Sequence, residues 1–526
     1  MQPSFWQGEE TSLQFSNEGY KAILSQLKQP VFAVRVGERI GLTNKGEWQR
    51  NGPHALIGFA PPVLPETLGD ESFRRTYGTR YAYYAGAMAN GIASAELVIA
   101  MGQAGFLASF GAGGLSLARI ESAIQQVQAA LPQGPYAFNL LHSPMEPLVE
   151  ENVVDLYLKY RIPVVEASAY INITPALVRY RVSGLTRRPD GQIQIAHRVI
   201  AKLSRLEVAQ KFLAPPPEKM LQELLSQGKI TPEQAELARH VPLADDITVE
   251  ADSGGHTDNR PLVVMFPAFL RLRDEIQSQA TPQARTRIGA AGGIGTPQAV
   301  LAALMLGAAY VATGSINQAC VEAGTSEKVK NLLAQMSMTD VIMAPAGDMF
   351  EMGVRVQVLK RGTMFAMRAQ KLYELYTRYN AWEEIPAEER EKLEKTIFKR
   401  DFESIWRDTV EFFRERDPRQ IERGEKNPKD KMALVFRWYL GLSSRWAIQG
   451  EDGREMDYQV WAGPAMGAFN AWVKGTPLEQ PSNRRVVEVA HALLNGCAYL
   501  MRVRLLELQG VRLPPETTQP PLLLTP

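Results

Sequence analysis

The sequence predicts an α/β chain folded as a (β/α)8 barrel, and three observations carry that reading. From about residue 55 onward, short β-branched or aromatic runs alternate with longer helical patterns, as parallel βαβ units require. Most of the short runs are almost continuously apolar, which is expected of a parallel strand covered on both faces. Eight such runs occur before residue 316, the number that closes a barrel. An open, doubly wound sheet is the competing architecture for the same alternation.

Residues 1–50 read as a small N-terminal subdomain with a candidate hairpin at Pro30–Val36 and Arg39–Thr43. The barrel is expected over residues 51–340. Its strands are assigned to Ala55–Pro61, Gly105–Gly111, Tyr136–Leu141, Ile162–Ser168, Arg198–Ser204, Ile247–Ser253, Arg287–Gly292 and Tyr310–Ser315. Helical patterns between and after them include Leu117–Leu131, Pro147–Tyr160, Pro261–Ser278, Pro297–Gly307 and Glu327–Met336.

An insertion at residues 214–246 opens with Pro215-Pro216-Pro217 and contains Thr231-Pro232-Glu233-Gln234. That tetrad puts a capping hydroxyl before a proline at the first helical position, with Gln234 able to bond back, so a helical hairpin is expected. Residues 341–512 are richer in charge and aromatics and read as a mainly helical C-terminal domain. There Phe398, Phe402, Ile405, Trp406, Val410 and Phe413 recur at spacings of three and four, the stripe of an amphipathic helix. The charged run Arg414–Lys431 reads as a solvated loop, and the Pro-rich tail 513–526 as poorly ordered.

Bulk composition narrows the function classes. The 526 residues are 45% hydrophobic and 22% charged, a soluble globular balance. With 58 basic against 57 acidic residues the formal charge is +1, so no global field recruits nucleic acid or an anionic membrane. Cys320 and Cys497 offer neither a disulfide framework nor metal-ligand spacing, and a reducing cytoplasm fits them. Residues 1–10 lack the pattern of a secretory signal. The longest apolar stretch, Ala299–Gly314, is interrupted by Gly307 and is shorter than the roughly 20 residues a spanning helix needs, so no membrane segment is expected.

The chemistry concentrates at strand ends. Gly292-Gly293-Ile294-Gly295 and Thr313-Gly314-Ser315 are glycine-rich turns after strands seven and eight, where barrels commonly hold a phosphate on backbone N–H groups and a helix N-terminus. The spacing of Gly289, Gly292, Gly293 and Gly295 is not the dinucleotide fingerprint. Gly111-Ala112-Gly113-Gly114, after strand two, reads as a turn at the mouth. Asp252-Ser253-Gly254-Gly255-His256 ends strand six, which holds an imidazole over the mouth, where it can donate a hydrogen bond or proton to a carbonyl near neutral pH. Asn139, Glu166, Ser168 and Lys202 end other strands facing the same way.

These residues resemble the nitronate monooxygenase-like flavoprotein family, which includes FMN-dependent enoyl-acyl-carrier-protein reductases. The resemblance rests on Ala60-Pro61, on Gly91-Ile92-Ala93-Ser94-Ala95-Glu96-Leu97, on Ser253 to His256, on Ala291 to Ile294 and on Thr313 to Ser315. Residues Asn139 to Pro144, Glu166 to Tyr170, Ala251 to Pro261, Gly347 to Gly353 and Lys360 to Thr363 are similar to the PfaD type, the separate enoyl reductase of polyunsaturated fatty acid and polyketide synthases. The resemblance implies FMN, a nicotinamide donor (NADPH or NADH) and an enoyl thioester on an acyl carrier protein. It implies a cofactor site at Ala60, Asn139, Lys202, Gly255, Gly292, Gly293, Thr313, Gly314 and Ser315, with His256 as the active-site histidine. Asn139 and Lys202 would supply donors to the flavin ring, Lys202 by its positive charge. One departure is that Ala60-Pro61 is followed by Pro62, where many relatives carry methionine.

Two other functions fit the same residues: nitronate oxidation by the same flavin, and a non-catalytic barrel serving a synthase assembly. A homodimer and a carrier-docking patch drawn from Arg187-Arg188, Lys399-Arg400 or Arg484-Arg485 are further expectations.

Overall fold

The computed structural model describes residues 4–144, 146–279 and 285–524. Eight parallel strands close into a barrel in the order Tyr83–Ala85, Leu107–Phe110, Ala137–Leu141, Val164–Ser168, Arg198–Leu203, Asp246–Glu250, Arg287–Ala291 and Val311–Thr313. Every neighbouring pair is parallel, including the closing pair, in which Val311, Ala312 and Thr313 lie opposite Tyr83, Tyr84 and Ala85. Closure leaves no unpaired edge and sends all eight C-terminal strand ends to one mouth.

Strand one is a correction. The run assigned to it, Ala55–Pro61, lies outside the barrel as His54–Ala60, the central strand of a five-stranded antiparallel sheet. It pairs with Val31–Val36 on one side and Phe5–Gln7 on the other. The hairpin Val31–Val36 with Arg39–Thr43, expected from the sequence, completes one flank. Ala60 is fully buried there against Tyr499 and Val503, away from the mouth, so it is no part of the site. The true first strand has three residues, too short and too aromatic to stand out as an apolar run.

The insertion forms the helical hairpin Glu218–Ser226 and Pro232–Ala238, and Thr231 and Gln234 bond reciprocally as a capping box. A second small hairpin, Leu185–Arg187 with Ile193–Ile195, precedes strand five.

After strand eight the chain leaves the barrel. It forms the helix Glu327–Ala334, the hairpin of Val341–Pro345 with Arg355–Leu359, and the helices Phe365–Arg378, Ala387–Leu393, Phe402–Arg416, Arg419–Lys426 and Pro428–Gln449 around a second hydrophobic core. The charged run expected as a loop is therefore mostly helical. Its charges are paired: Arg416 with Glu146 at 2.6 Å and Arg423 with Glu351 at 2.8 Å.

The chain then returns. Val486–Leu508 packs against Pro297–Met305 and Ala95–Gln103, the helices of the seventh and first repeats. The eighth position of the helical ring thus belongs to this helix, not to Glu327–Ala334, and its residues Val486 to Ala498 are continuous with the barrel core. Val486–Leu508 is long and apolar enough to cross a membrane, but 83% of its most apolar window is buried inside the protein. The described part of the tail is packed as well. Tyr499 donates to the Thr517 carbonyl at 2.8 Å, and Leu522 and Leu524 cover the core, which corrects the expectation of poor order.

Candidate functional site

A cavity of about 610 Å³ occupies the barrel mouth. Gly255, His256, Gly292, Gly293, Thr313, Gly314, Ser315, Asn139 and Lys202 all line it, so of the ten residues expected at the site only Ala60 lies elsewhere. Strand one ends there as Ala85-Gly86-Ala87-Met88, which puts a methionine in the lining where the sequence pointed to Pro62.

The glycines serve two different ends. At Gly292 (φ 82°) a Cβ would lie 2.6 Å from the Ala251 carbonyl carbon, so glycine is needed for strand six and the turn to meet. At Gly293 and Gly314 a Cβ would meet nothing within 4 Å, and the space it would fill is the cavity itself. The N–H groups of Gly293, Gly314 and Ser315 donate to no acceptor among the described residues. Unpaired donors lining a cradle free of side chains suit an anion such as a terminal phosphate. The Ser315 hydroxyl accepts from the Gly463 N–H at 3.0 Å, which fixes the turn against the returning chain.

Charged groups form the other side. The Glu166 carboxylate is fully buried and accepts from the Tyr84 hydroxyl and, at 2.8 Å, from the Ala87 N–H. Lys202 stands between Glu250, at 3.1 Å, and Glu166, at 4.0 Å. Burial opposes the charge on Lys202, but the two carboxylates outweigh it and raise its pKa, so the ammonium persists. Asn139 gives both amide hydrogens to the barrel wall, to the Glu166 carbonyl and the Ser168 hydroxyl, each at 3.0 Å. It braces the strand ends and has no donor left over.

Gly255–His256 adds as a third strand to the hairpin beyond the barrel, with His256 opposite Val356. This pairing aims the half-buried imidazole at Asp348, whose Oδ1 lies 3.3 Å from Nε2. Burial disfavours the imidazolium, yet the Asp348 carboxylate, helped by Glu250, lifts the His256 pKa above the ordinary histidine value. Asp348 is in turn held below the usual carboxylate range, its own burial being overcome by His256. The couple thus shifts His256 toward its protonated form.

With this geometry in hand, comparison with known proteins is decisive. Residues 76–369 match the nitronate monooxygenase family model, and residues 6–62 match the model of the N-terminal domain of PfaD from fatty acid synthases. The chain is a PfaD-type member of the nitronate monooxygenase family. Membership places this PfaD-type protein among oxidoreductases. It is 51% identical over 459 residues to a component of the polyunsaturated fatty acid synthase of Thraustochytrium, a match covering 85% of the chain and 31% of that protein. It is 49% identical over 444 residues to the polyketide biosynthesis protein PksE of Bacillus subtilis, covering 84% of the chain and 58% of the relative. The PfaD-type chain therefore spans less than two thirds of these curated relatives. The crystal structure of the enoyl reductase domain of MlnA, from the macrolactin cluster of Bacillus amyloliquefaciens, superposes with a TM-score of 0.80 at 41% identity, covering 84% of this chain and 99% of that one.

Residues 379–458 of the PfaD-type protein match the inserted helical domain of acyl-carrier-protein S-malonyltransferase. This stretch roofs the cavity with Phe412, Phe413, Arg416, Trp438 and Arg445. None of these stands out as a site residue from the sequence, nor do Asp348, Glu250 and Tyr84. The one usable signal is the Gly347 to Gly353 motif, which holds Asp348. Of the basic pairs expected to dock a carrier, Arg484 is fully buried, bonded to the Leu478 and Glu479 carbonyls, and cannot serve.

Proposed function

We propose that the protein is an enoyl-acyl-carrier-protein reductase that uses FMN and NADPH or NADH, acting for a polyunsaturated fatty acid or polyketide synthase. The observation that carries the reading is that the donor-lined cradle of Gly293, Gly314 and Ser315 opens on the same cavity as the hydrogen-bonded His256–Asp348 couple. The names of the relatives supply the substrate class.

On this reading the cradle grips the terminal phosphate of FMN, and the Lys202 ammonium sets a positive charge beside the ring. Bound FMN would supply the hydride, taken from the nicotinamide and passed on to the β-carbon of a trans-2-enoyl thioester. Negative charge then gathers on the thioester oxygen, and His256, as imidazolium, donates a hydrogen bond to it. The α-carbon takes the imidazolium proton, which solvent replaces, and a saturated thioester leaves. Asp348 keeps the imidazole charged and oriented.

The test is spectroscopic and kinetic. Purified protein should carry a flavin absorption band that bleaches with NADPH and returns with crotonyl thioester. His256→Ala should lower the turnover number roughly 100-fold. No thioester-dependent consumption of NADPH by the flavin-loaded protein would sink the reading. The match of residues 76–369 to nitronate monooxygenase favours a second activity, so oxygen uptake with a nitroalkane is the control.

A further inference from the structure

The roof contains two guanidinium groups gathered on one aromatic ring. Arg416 lies 5.3 Å from the centre of the Phe412 ring, and Arg445 lies 5.9 Å from the same centre. Both line the cavity, and Phe412 is 44% exposed. The three residues come from two helices, Phe402–Arg416 and Pro428–Gln449, so the grouping is a product of the fold.

Like charges at such spacing repel unless a counter-ion offsets them. Arg416 has one, Glu146 at 2.6 Å. Nearby Arg437 is also paired, with Glu351 at 3.2 Å, and the Asp408 carboxylate in the same wall is held by Arg400 at 2.5 Å. Arg445 has no carboxylate and no hydrogen-bond acceptor among the described residues. Burial, and then the charge of Arg416, lower its pKa, so its positive charge sits where the protein itself offers no compensation. The cavity already offers one anion cradle at its floor, in the glycine turns. Arg445 is a second locus of positive potential in the roof.

We propose that Arg445, with Arg416 beside it, binds a phosphate ester carried by a ligand that reaches into the cavity. The guanidinium fork matches two phosphate oxygens, and the Phe412 ring fixes the plane of the fork. Two ligands of the proposed reaction bear such a group: the phosphopantetheine arm of a carrier-bound thioester, and the phosphorylated nicotinamide donor. This inference rests on the enoyl reductase reading for its ligands, but its test does not depend on turnover.

The experiment is calorimetric titration of the flavin-loaded full chain with two pairs of probes that differ by one phosphate. These are pantetheine 4′-phosphate against pantetheine, and NADP+ against NAD+, oxidised forms that cannot reduce the flavin. The wild-type protein should prefer the phosphorylated member of one pair by roughly tenfold, Arg445→Ala should bring that ratio near one, and Arg445→Lys should recover part of it. A preference within the pantetheine pair assigns the clamp to the acyl arm, and one within the nicotinamide pair assigns it to the donor. Equal binding within both pairs, or a preference that survives Arg445→Ala, overturns the inference. If enoyl turnover is absent while the phosphate preference and its loss are present, the enzymatic reading alone has failed.

Discussion

The floor and the roof of the cavity recognise by different means. The floor presents main chain: the N–H groups of Gly293, Gly314 and Ser315, on turns that end strands of the closed parallel barrel. The roof presents long side chains, Phe412, Arg416, Trp438 and Arg445, on helices with a hydrophobic core of their own. Backbone donors on a closed sheet cannot reorient, so they suit a group of invariant shape that must be held in one place. Side chains with several rotatable bonds adapt, at an entropic cost, and suit ligands that come and go. On the proposed function, the difference would put the permanent cofactor at the floor and the transient ligand at the roof.

The sharpest way to break this comparison is to put a side chain into the floor. Gly314 has a negative φ of −133°, outside the left-handed region, and open space around its Cβ direction. Gly314→Val should therefore fold normally and lose flavin, with FMN affinity down at least roughly 100-fold, read as the flavin-to-protein absorbance ratio after gel filtration. Gly292→Ala is the contrast. Its Cβ would collide with the Ala251 backbone and its φ of 82° disfavours any side chain, so it should cost about 2–3 kcal/mol of stability in chemical denaturation. Full flavin occupancy in Gly314→Val would remove the cradle from the floor.

A second, smaller effect tests the joint between the two regions, where His256 of the barrel meets Asp348 of the appended domain. The carboxylate raises the histidine pKa, so the imidazolium, and the activity that needs it, is present at low pH and is lost as pH rises through the raised value. Asp348→Asn leaves burial and Lys202, opposed only by Glu250, to push the pKa down. The alkaline limb of the kcat profile should move to lower pH, with turnover several-fold lower on the alkaline side and little changed on the acid side. The same sign holds for stability. The couple contributes below the ordinary histidine range and its contribution disappears on the alkaline side. An unmoved limb would mean that His256 is not the titrating acid.

The floor was far more legible in the sequence than the roof. Strand-end glycines and a strand-end histidine announce themselves because position along a βα repeat fixes where they point, and nine of the ten expected residues do line the mouth. Ala60 misled because a good β-run ending in Ala-Pro preceded the true strand Tyr83–Ala85, which is only three residues long. Val486–Leu508 holds the eighth helical place after a long excursion, and local pattern carries no record of such a return. In the roof, the stripe from Phe402 to Phe413 marks a helix with one buried face, whereas Phe398 ends a separate helical segment cut off by Lys399 at φ 59°. Periodicity says that a face is covered but not by what, so Phe412 and Arg416 gave no hint that they bound a cavity.

The smallest predicted effect concerns how the roof is held down. Asn90, in the loop after the barrel's first strand, donates to the Ser444 hydroxyl at 3.1 Å, and Ser444 in turn donates to the Gly441 carbonyl at 3.0 Å within its helix. Ser444→Ala deletes this tie without leaving a large void. Asn90 is half-buried beside the cavity and can find water, so the loss should be about 1 kcal/mol or less in urea denaturation. A loss several times larger would mean that one polar bond governs closure, and the roof would then behave as a gate. A loss of the expected size leaves closure to the apolar contacts between the two regions and to ion pairs such as Arg416–Glu146, so that roof and floor would unfold together.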